Sequence, residues 1–340
     1  MSQTTAGPIS SRRRPRARRI LFAALALLVT GVVLAGGAAW WAVEHYTGKI
    51  NRIPGVFPTD VPAHAQPPQG KGGQNFLLVG LDSRASLPTT GKDAKGPLWT
   101  EGAQRSDTMI MVHIPEDGSG AYAVSLPRDA WVDIPGHGTA KLNAAFSWGG
   151  PPLLIDTVQR LTQVKVDHFA VLDWSGFKKL TDAVGGVDIR LADGSKQHMN
   201  GAQALDYVRE RKNLPRGDLD RMHRQQNYLR TVLTKVLSTE SVMDPFKWKN
   251  LLDAATETIS VDDRLSDRDI HQLAWDMKGM RGSEMVFMNA PVSGTGMAGG
   301  QSVVHLDRGS AEGLWNSMTE DTIEQYVKDH TLDRLTDKTP

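Results

Sequence analysis

A run of 24 residues without a charge, residues 20–43 (ILFAALALLVTGVVLAGGAAWWAV), constrains this chain more than any other feature. As a helix rising ~1.5 Å per residue it spans the roughly 30 Å hydrocarbon core of a bilayer. Trp40 and Trp41 stand near its end, where an aromatic belt meets the interface. Six arginines (Arg12, Arg13, Arg14, Arg16, Arg18 and Arg19) and no acidic residue precede it, so residues 1–19 carry +6 in a chain of net charge +1. The rest of the chain therefore carries −5. The positive-inside rule puts such a tail in the cytoplasm and everything after residue 43 outside the cell membrane. A cleaved signal peptide is the competing reading; the length of the run and its bulky tryptophans favour a retained single-pass anchor. The same rule accounts for the arginine run without invoking nucleic acid as a partner.

The remainder reads as a Pro/Gly-rich linker, 44–73, followed by one extracellular domain, 74–335. The linker holds Pro54, Pro58, Pro62, Pro67 and Pro68. Beyond it come short apolar runs of strand type: NFLLVGL (75–81), TMIMVHI (108–114), AYAVSL (121–126), DHFAVLDW (167–174), MVFMN and SVVHLD. Helical periods lie between them. One opens at Pro152 with Leu154, Val158 and Leu161 on a face; another carries Phe177, Leu180 and Val184 and stops at Gly185 and Gly186. A long one covers about 218–237, and two more cover 246–256 and 266–278. Mixed strands and helices imply an α/β fold, a sheet covered by helices. A composition of 40% hydrophobic and 23% charged residues excludes global disorder. The absence of Cys from the sequence excludes thiolate zinc sites, iron–sulfur clusters and thiol redox chemistry.

Familiar catalytic signatures are missing: there is no GxSxG, HExxH or Walker A sequence. A GxGxxG spacing does occur from Gly294 to Gly299. A dinucleotide site needs a helix directly after it, and GQSVVHLD reads instead as loop and strand.

The chemistry-bearing residues cluster at the ends of the predicted strands. NFLLVGL runs into Asp82, Ser83 and Arg84; Arg105 and Asp107 lead into the next strand; AYAVSL runs into Pro127, Arg128 and Asp129. Arg209 and Arg211 follow a short helix, and Arg221, Arg224 and Gln225 open the long one. Asp82/Arg84, Arg105/Asp107 and Arg209/Arg211 are i,i+2 pairs, which share a side in extended chain. Strand ends in an α/β sheet gather at one edge, the usual place for a ligand crevice. Arginine forks bind phosphate oxygens bidentately, and Mg²⁺ takes one or two carboxylates with phosphates and water, so the set suits a polyphosphate with Mg²⁺. Surface ion pairs are the plainer reading of each pair taken singly. Along the long helix Arg221, Gln225, Leu229, Leu233 and Leu237 follow i,i+4 steps, with Val232 and Val236 alongside. A stripe that starts polar and turns apolar suits either a core-facing helix with an exposed end or a ligand with an anionic head and a hydrocarbon tail.

In this order the stretches NFLLVGLDSR, QRSDTMIMVHI, AVSLPRDAWVDIPGHGTAKLNAAFSWGG, VDHFAVLDWSGFKKLTDAVGGVDI, NGAQALDYVRERK and GDLDRMHRQQNYL resemble the LytR-CpsA-Psr family of envelope proteins. The resemblance covers about residues 75–230. It implies a mixed sheet between helices with an apolar pocket for a prenyl tail. It also implies a phosphotransferase that moves a glycopolymer from a polyprenyl-pyrophosphate carrier to peptidoglycan, with polyprenyl phosphate as leaving group. Carried over by motif, Asp82 and Asp107 are the Mg²⁺ carboxylates. Arg105, Arg128, Arg209 and Arg211 bind the pyrophosphate with Gln225 nearby, and Arg84 and Arg224 are further candidates. Asp107, Arg105 and Arg128 form the catalytic set, and either Asp107 or Asp82 takes the acceptor proton. Val158, Leu161, Leu229, Val232, Leu233 and Val236 are candidate tail contacts, simple core being the alternative for each. The loop 83–104, with Trp99, is a candidate acceptor lid. A hydrolase using water as acceptor and a non-enzymatic lipid-binding regulator are the competing functions.

Overall fold

A computed structural model describes residues 48–59, 61–62, 65–83, 88–191, 193–210, 214–236, 245–276 and 284–336. The expected cytoplasmic tail and membrane helix lie outside the described residues, as do Arg84, Arg211 and Leu237. Among the described residues no helix is long and apolar enough to cross a membrane.

In chain order the elements are β1 (Asn51–Ile53), β2 (Gln74–Ser83), β3 (Gln104–Ile114), β4 (Ala121–Ser125), a hairpin of β5 (Trp131–Ile134) and β6 (Gly138–Lys141), α1 (Leu142–Thr162), β7 (His168–Asp173), α2 (Trp174–Ala183), a hairpin of β8 (Val187–Arg190) and β9 (Lys196–Met199), α3 (Gly201–Arg209) and α4 (Asp218–Val236). They continue with α5 (Pro245–Thr258), β10 (Ile259–Asp262), α6 (Asp267–Asp276), β11 (Met285–Asn289), a hairpin of β12 (Val292–Ala298) and β13 (Gln301–Leu306), α7 (Arg308–Thr319) and α8 (Ile323–Asp329). Seven strands make the central sheet in the order β1-β10-β7-β2-β3-β4-β11. It is mixed: β2 runs parallel to β7 and antiparallel to β3, and β4 runs parallel to β11.

The predicted strands fold as strands because both faces of the sheet are covered, so their near-continuous apolar runs are buried on either side. Leu77, Val79, Leu81, Met109 and Met111 pack on one face against α1, α7 and α8. Phe76, Leu78, Ile110 and Val112 pack on the other, where Leu229 and Leu233 of α4 and Ile270 and Leu273 of α6 meet them. A third cluster joins α2, α3, α4 and the β8–β9 hairpin through Phe177, Val208, Tyr228 and Val232.

Two expectations change. Part of the expected linker belongs to the fold: Asn51–Ile53 pairs in parallel with β10, and Val56 and Phe57 are buried in the core. The helix expected to open at Pro152 begins ten residues earlier and breaks at Gly150, whose φ of 65° and ψ of −155° are not helical. Trp99 explains the glycine there, since an added Cβ would come within 2.9 Å of its ring. The GxGxxG spacing lies in β12 and the turn after it, paired with β13, as the lack of a following helix required.

Helix α4 is pinned from within. The buried Gln226 amide Nε2 lies within hydrogen-bond distance of Ser125 Oγ (2.8 Å), Met288 O (2.8 Å) and Asn289 Oδ1 (2.9 Å), acceptors that share its two hydrogens and tie the helix to β4 and β11. One turn earlier, Arg216 Nη2 lies 2.9 Å from His223 Nδ1 and donates to it, with Asp220 and Asp333 beside the pair. Burial, helped by Arg216 and opposed by Asp333 and Asp220, pushes the His223 pKa below the ordinary imidazole value. A depressed histidine pKa supports the fold above pH ~6.5 and withdraws that support as pH falls through the lower, folded-state value. Burial depresses His113 in the same direction. The urea midpoint is therefore expected to fall between pH 7 and pH 5, and His223→Gln to remove part of that fall. An unchanged pH dependence in the variant would show His223 to be no contributor.

Candidate functional site

The polar site forms where β2, β3 and β4 end. Between Gly80 and Leu81 the β2–β3 register shifts: Thr108 pairs with Gly80 and Ser106 with Leu81, leaving Asp107 as an extra residue, a β-bulge. Such bulges re-aim a side chain, and here the Asp107 carboxylate Oδ1 accepts from Arg128 Nη1 at 2.6 Å. Arg128 sits just past β4, and its Nε lies 3.6 Å from both Asp129 Oδ2 and Asp218 Oδ1. That Nε is buried and has no hydrogen-bond partner. Burial alone would lower the Arg128 pKa, but Asp107, Asp129 and Asp218 outweigh it and raise it, so the guanidinium stays charged. Asp218 also pairs with the buried Arg221 one turn along α4, and Lys141 Nζ reaches Asp129 Oδ1 at 3.1 Å.

A second set stands beside it. Asp82 pairs with Arg105 across β2 and β3, and its Oδ1 accepts from Trp174 Nε1 at 2.9 Å. Trp174 opens α2 because Asp173 caps that helix, accepting from Gly176 N at 2.8 Å. Arg209 Nη2 lies 3.8 Å from Asp82 Oδ1, and its guanidinium sits 5.3 Å from the centre of the Trp174 ring. Arg105 is exposed and has no side-chain partner among the described residues.

An apolar groove of about 210 Å³ adjoins both sets. Its floor is Leu78, Gly80, Ile110, Ala170 and Leu172, and its walls are Phe177 and Leu180 of α2 and Tyr228 and Leu229 of α4. Thr108, Trp174 and Val208 line it too, each next to or part of the polar sets. Gln225 lines it as well, half-buried and without a side-chain hydrogen bond among the described residues. Phe177 and Tyr228 stack at 4.2 Å, and Tyr228 OH shares a 2.7 Å hydrogen bond with Thr181 Oγ1, which stiffens the wall between α2 and α4.

The structure thus brings together Asp82, Asp107, Arg105, Arg128, Arg209, Gln225 and Leu229. Arg224 lies 4.8 Å over the Tyr207 ring, with its Nη1 donating to Tyr207 O at 3.4 Å. Arg209 ends a helix, so the extended-chain geometry expected of Arg209/Arg211 does not apply at Arg209. Val158 is fully buried against the opposite face of the sheet, and Leu161 packs on that same cluster, so neither lines the groove. Val232 and Val236 pack with Phe177 and Tyr228 behind the groove wall, and Leu233 packs against the neighbouring cluster. Trp99 is docked, its Nε1 3.2 Å from Ser147 O, and Thr89 N donates to Asp173 Oδ2 at 2.9 Å, so the described part of the 83–104 loop lies bound to the domain. Sequence reading places Asp129 at a strand end without a role and passes over Lys141, Asp218 and Trp174. Asp129 directly follows Arg128, and Trp174 closes the strand-type run 167–174, which is the available signal; Asp218 and Lys141 are joined only by the fold.

Among the described residues there is no cluster of three or more His, Asp or Glu able to hold a metal ion. Mg²⁺ does not require one, since one or two carboxylates suffice beside phosphates and water. Asp82 and Asp107, on neighbouring strands among arginines, fit that demand.

Known proteins resemble this chain in sequence and in fold. The pattern of the LytR_cpsA_psr family matches residues 52–320, and the chain belongs to that family. Two Corynebacterium glutamicum proteins are similar: the probable cell wall biosynthesis protein LcpB is 33% identical over 304 residues (86% of this chain, 69% of that one), and the cell wall biosynthesis protein LcpA is 31% identical over 320 residues. The match to LcpA spans 79% of this chain and only 60% of LcpA. The polyisoprenyl-teichoic acid–peptidoglycan teichoic acid transferase TagU of Enterococcus faecalis is 30% identical over 77% of this chain and 84% of its own. In fold, the crystal structure of B. subtilis TagV superposes with a TM-score of 0.60 at 23% identity, over 77% of this chain and 99% of that one.

Proposed function

We propose that this protein transfers a glycopolymer from a polyprenyl-pyrophosphate carrier to peptidoglycan, forming a phosphodiester. The observation that carries the reading is the apolar groove between α2 and α4 adjoining the Arg128–Asp107 and Arg209–Asp82 pairs. A prenyl tail fits such a groove and a pyrophosphate fits such a cluster. The transferase name of the Enterococcus relative supports the same chemistry.

In this reading the tail lies along Leu78, Ala170, Phe177 and Leu229. Arg105, Arg128 and Arg209 hold the pyrophosphate oxygens, with Gln225 donating from α4; Arg84 and Arg211 extend the set, and Arg224 steadies α3 through Tyr207. Asp82 and Asp107 would hold Mg²⁺, which when bound neutralises pyrophosphate charge. The acceptor sugar hydroxyl attacks the polymer-bearing phosphorus, a new P–O bond forms, and the bond to the bridging oxygen breaks. Polyprenyl phosphate leaves with that electron pair, and a carboxylate oxygen of Asp107 or Asp82 takes the hydroxyl proton. The arginines offset the charge that builds on the departing phosphate, which is where preorganised donors accelerate a reaction most.

Incubating the full chain with lipid-linked polymer and peptidoglycan is expected to yield polymer attached to the wall together with free polyprenyl phosphate. Polymer released unattached would identify a hydrolase instead, and no turnover at all would favour a lipid-binding regulator.

The 20–43 run anchors the chain in this proposal, with residues 1–19 in the cytoplasm and the domain outside. Protease added to intact protoplasts is expected to digest the domain; protection would overturn the orientation.

A further inference from the structure

A larger cavity, about 640 Å³, lies away from the groove, between β5, the end of α1 and α7. Its floor includes Trp315 and Ala311, which belong to the core cluster on the face of the sheet opposite the groove. Its volume falls within the ~300–1,000 Å³ typical of small-molecule sites. Nothing in the transfer chemistry above uses it.

Two features define what it can hold. Trp131, half-buried, and Trp315 both line it and supply its aromatic surface. Around them stand Asp133, Arg308, Glu312 and Asn316, all exposed, and none of the four has a side-chain hydrogen bond or ion pair among the described residues. Arg308 and Glu312 are one helical turn apart on α7, the spacing at which an ion pair readily closes, yet they do not pair. Arg160 and Arg308 offset Asp133 and Glu312 in the lining, so it has no net pull on an anion. It combines planar donors and acceptors around an indole: the donors and acceptors match arrays of hydroxyl and amide groups, and the indole matches the C–H face of a sugar ring.

We propose that this cavity is a saccharide-binding site, taking a segment of uncharged oligosaccharide against Trp131 with its hydroxyl groups bonded by Asp133, Arg308, Glu312 and Asn316. The site stands on its own chemistry and does not rest on the transferase reading. The saccharide comes either from an N-acetylhexosamine glycan strand or from a neutral polymer chain, and the two present the same chemistry to the cavity.

Titration of the full chain in detergent micelles with chitotetraose and, separately, with arabinotetraose tests this by calorimetry and tryptophan fluorescence. At least one is expected to bind, and the tighter of the two identifies the source. Trp131→Ala and the double variant Arg308→Ala/Glu312→Ala are each expected to weaken binding at least tenfold. The second alters only exposed, unpaired side chains, so folding is preserved. Absence of binding by both sugars at millimolar concentration, or binding that neither variant weakens, would overturn the site. Polyprenyl phosphate binding in the groove, measured on the same proteins, reads the transferase proposal separately.

Discussion

Arg128→Ala is expected to reduce transfer by about 10²–10³-fold, the usual effect of removing one well-placed donor to a developing negative charge. The side chain is the hub of the site: one nitrogen is bonded to Asp107, and another lies between Asp129 and Asp218. Its removal also takes one cation out of a cluster of three carboxylates, in which Lys141 stays on Asp129 and Arg221 on Asp218. Breaking a buried ionic cluster from one side costs about 3 kcal/mol, so the variant should be less stable to urea. Arg128→Lys separates the two effects. It keeps the charge and most of the stability, but an ammonium cannot reproduce the planar fork, so transfer should remain at least tenfold below wild type. Full activity in Arg128→Lys would mean that Arg128 serves the fold rather than the phosphate.

Blocking the groove should have an effect of similar size on lipid binding. Ala170 lies in the groove floor, paired with Leu78 on one side and Val261 on the other. A phenylalanine there points into open groove rather than into packed core. Excluding about four methylene groups of a bound tail, at ~0.8 kcal/mol each, removes roughly 3 kcal/mol, or about two orders of magnitude in affinity. Displacement of a photoreactive polyprenyl phosphate measures this directly. Unchanged affinity in a folded Ala170→Phe protein would place the tail elsewhere.

The parts of this architecture that were legible in the sequence are those whose signal is local. NFLLVGL, TMIMVHI, AYAVSL and HFAVLD are apolar on both faces, and each is a central strand. The long helix begins at Asp218, as expected, and is helical through Val236, the last described residue there. The hairpins β5–β6 and β8–β9 escaped notice because each strand has only four residues, too few to show a period, and tertiary packing forms them. The strand-end grouping of Asp82, Arg105, Asp107 and Arg128 followed from the general rule for sheets. The pairing of partners did not. Trp174 meets Asp82, and Asp218 meets Arg128, across long stretches of chain, through a strand order that no local pattern encodes. Val158 and Leu161 have the same periodicity as groove-lining residues, but periodicity specifies a face and says nothing about which side of the sheet the helix covers.

The bulge at Asp107 has a further consequence. The ladder between β2 and β3 is complete on both sides of that residue, with Thr108 on Gly80 and Ser106 on Leu81. Asp107 is therefore surplus to the sheet: a chain lacking it would keep every β2–β3 pairing while losing the carboxylate that meets Arg128. Selection can act on that position without disturbing the scaffold. The sheet carries its reactive group as a removable attachment, so chemistry and architecture are separable at the point where they touch.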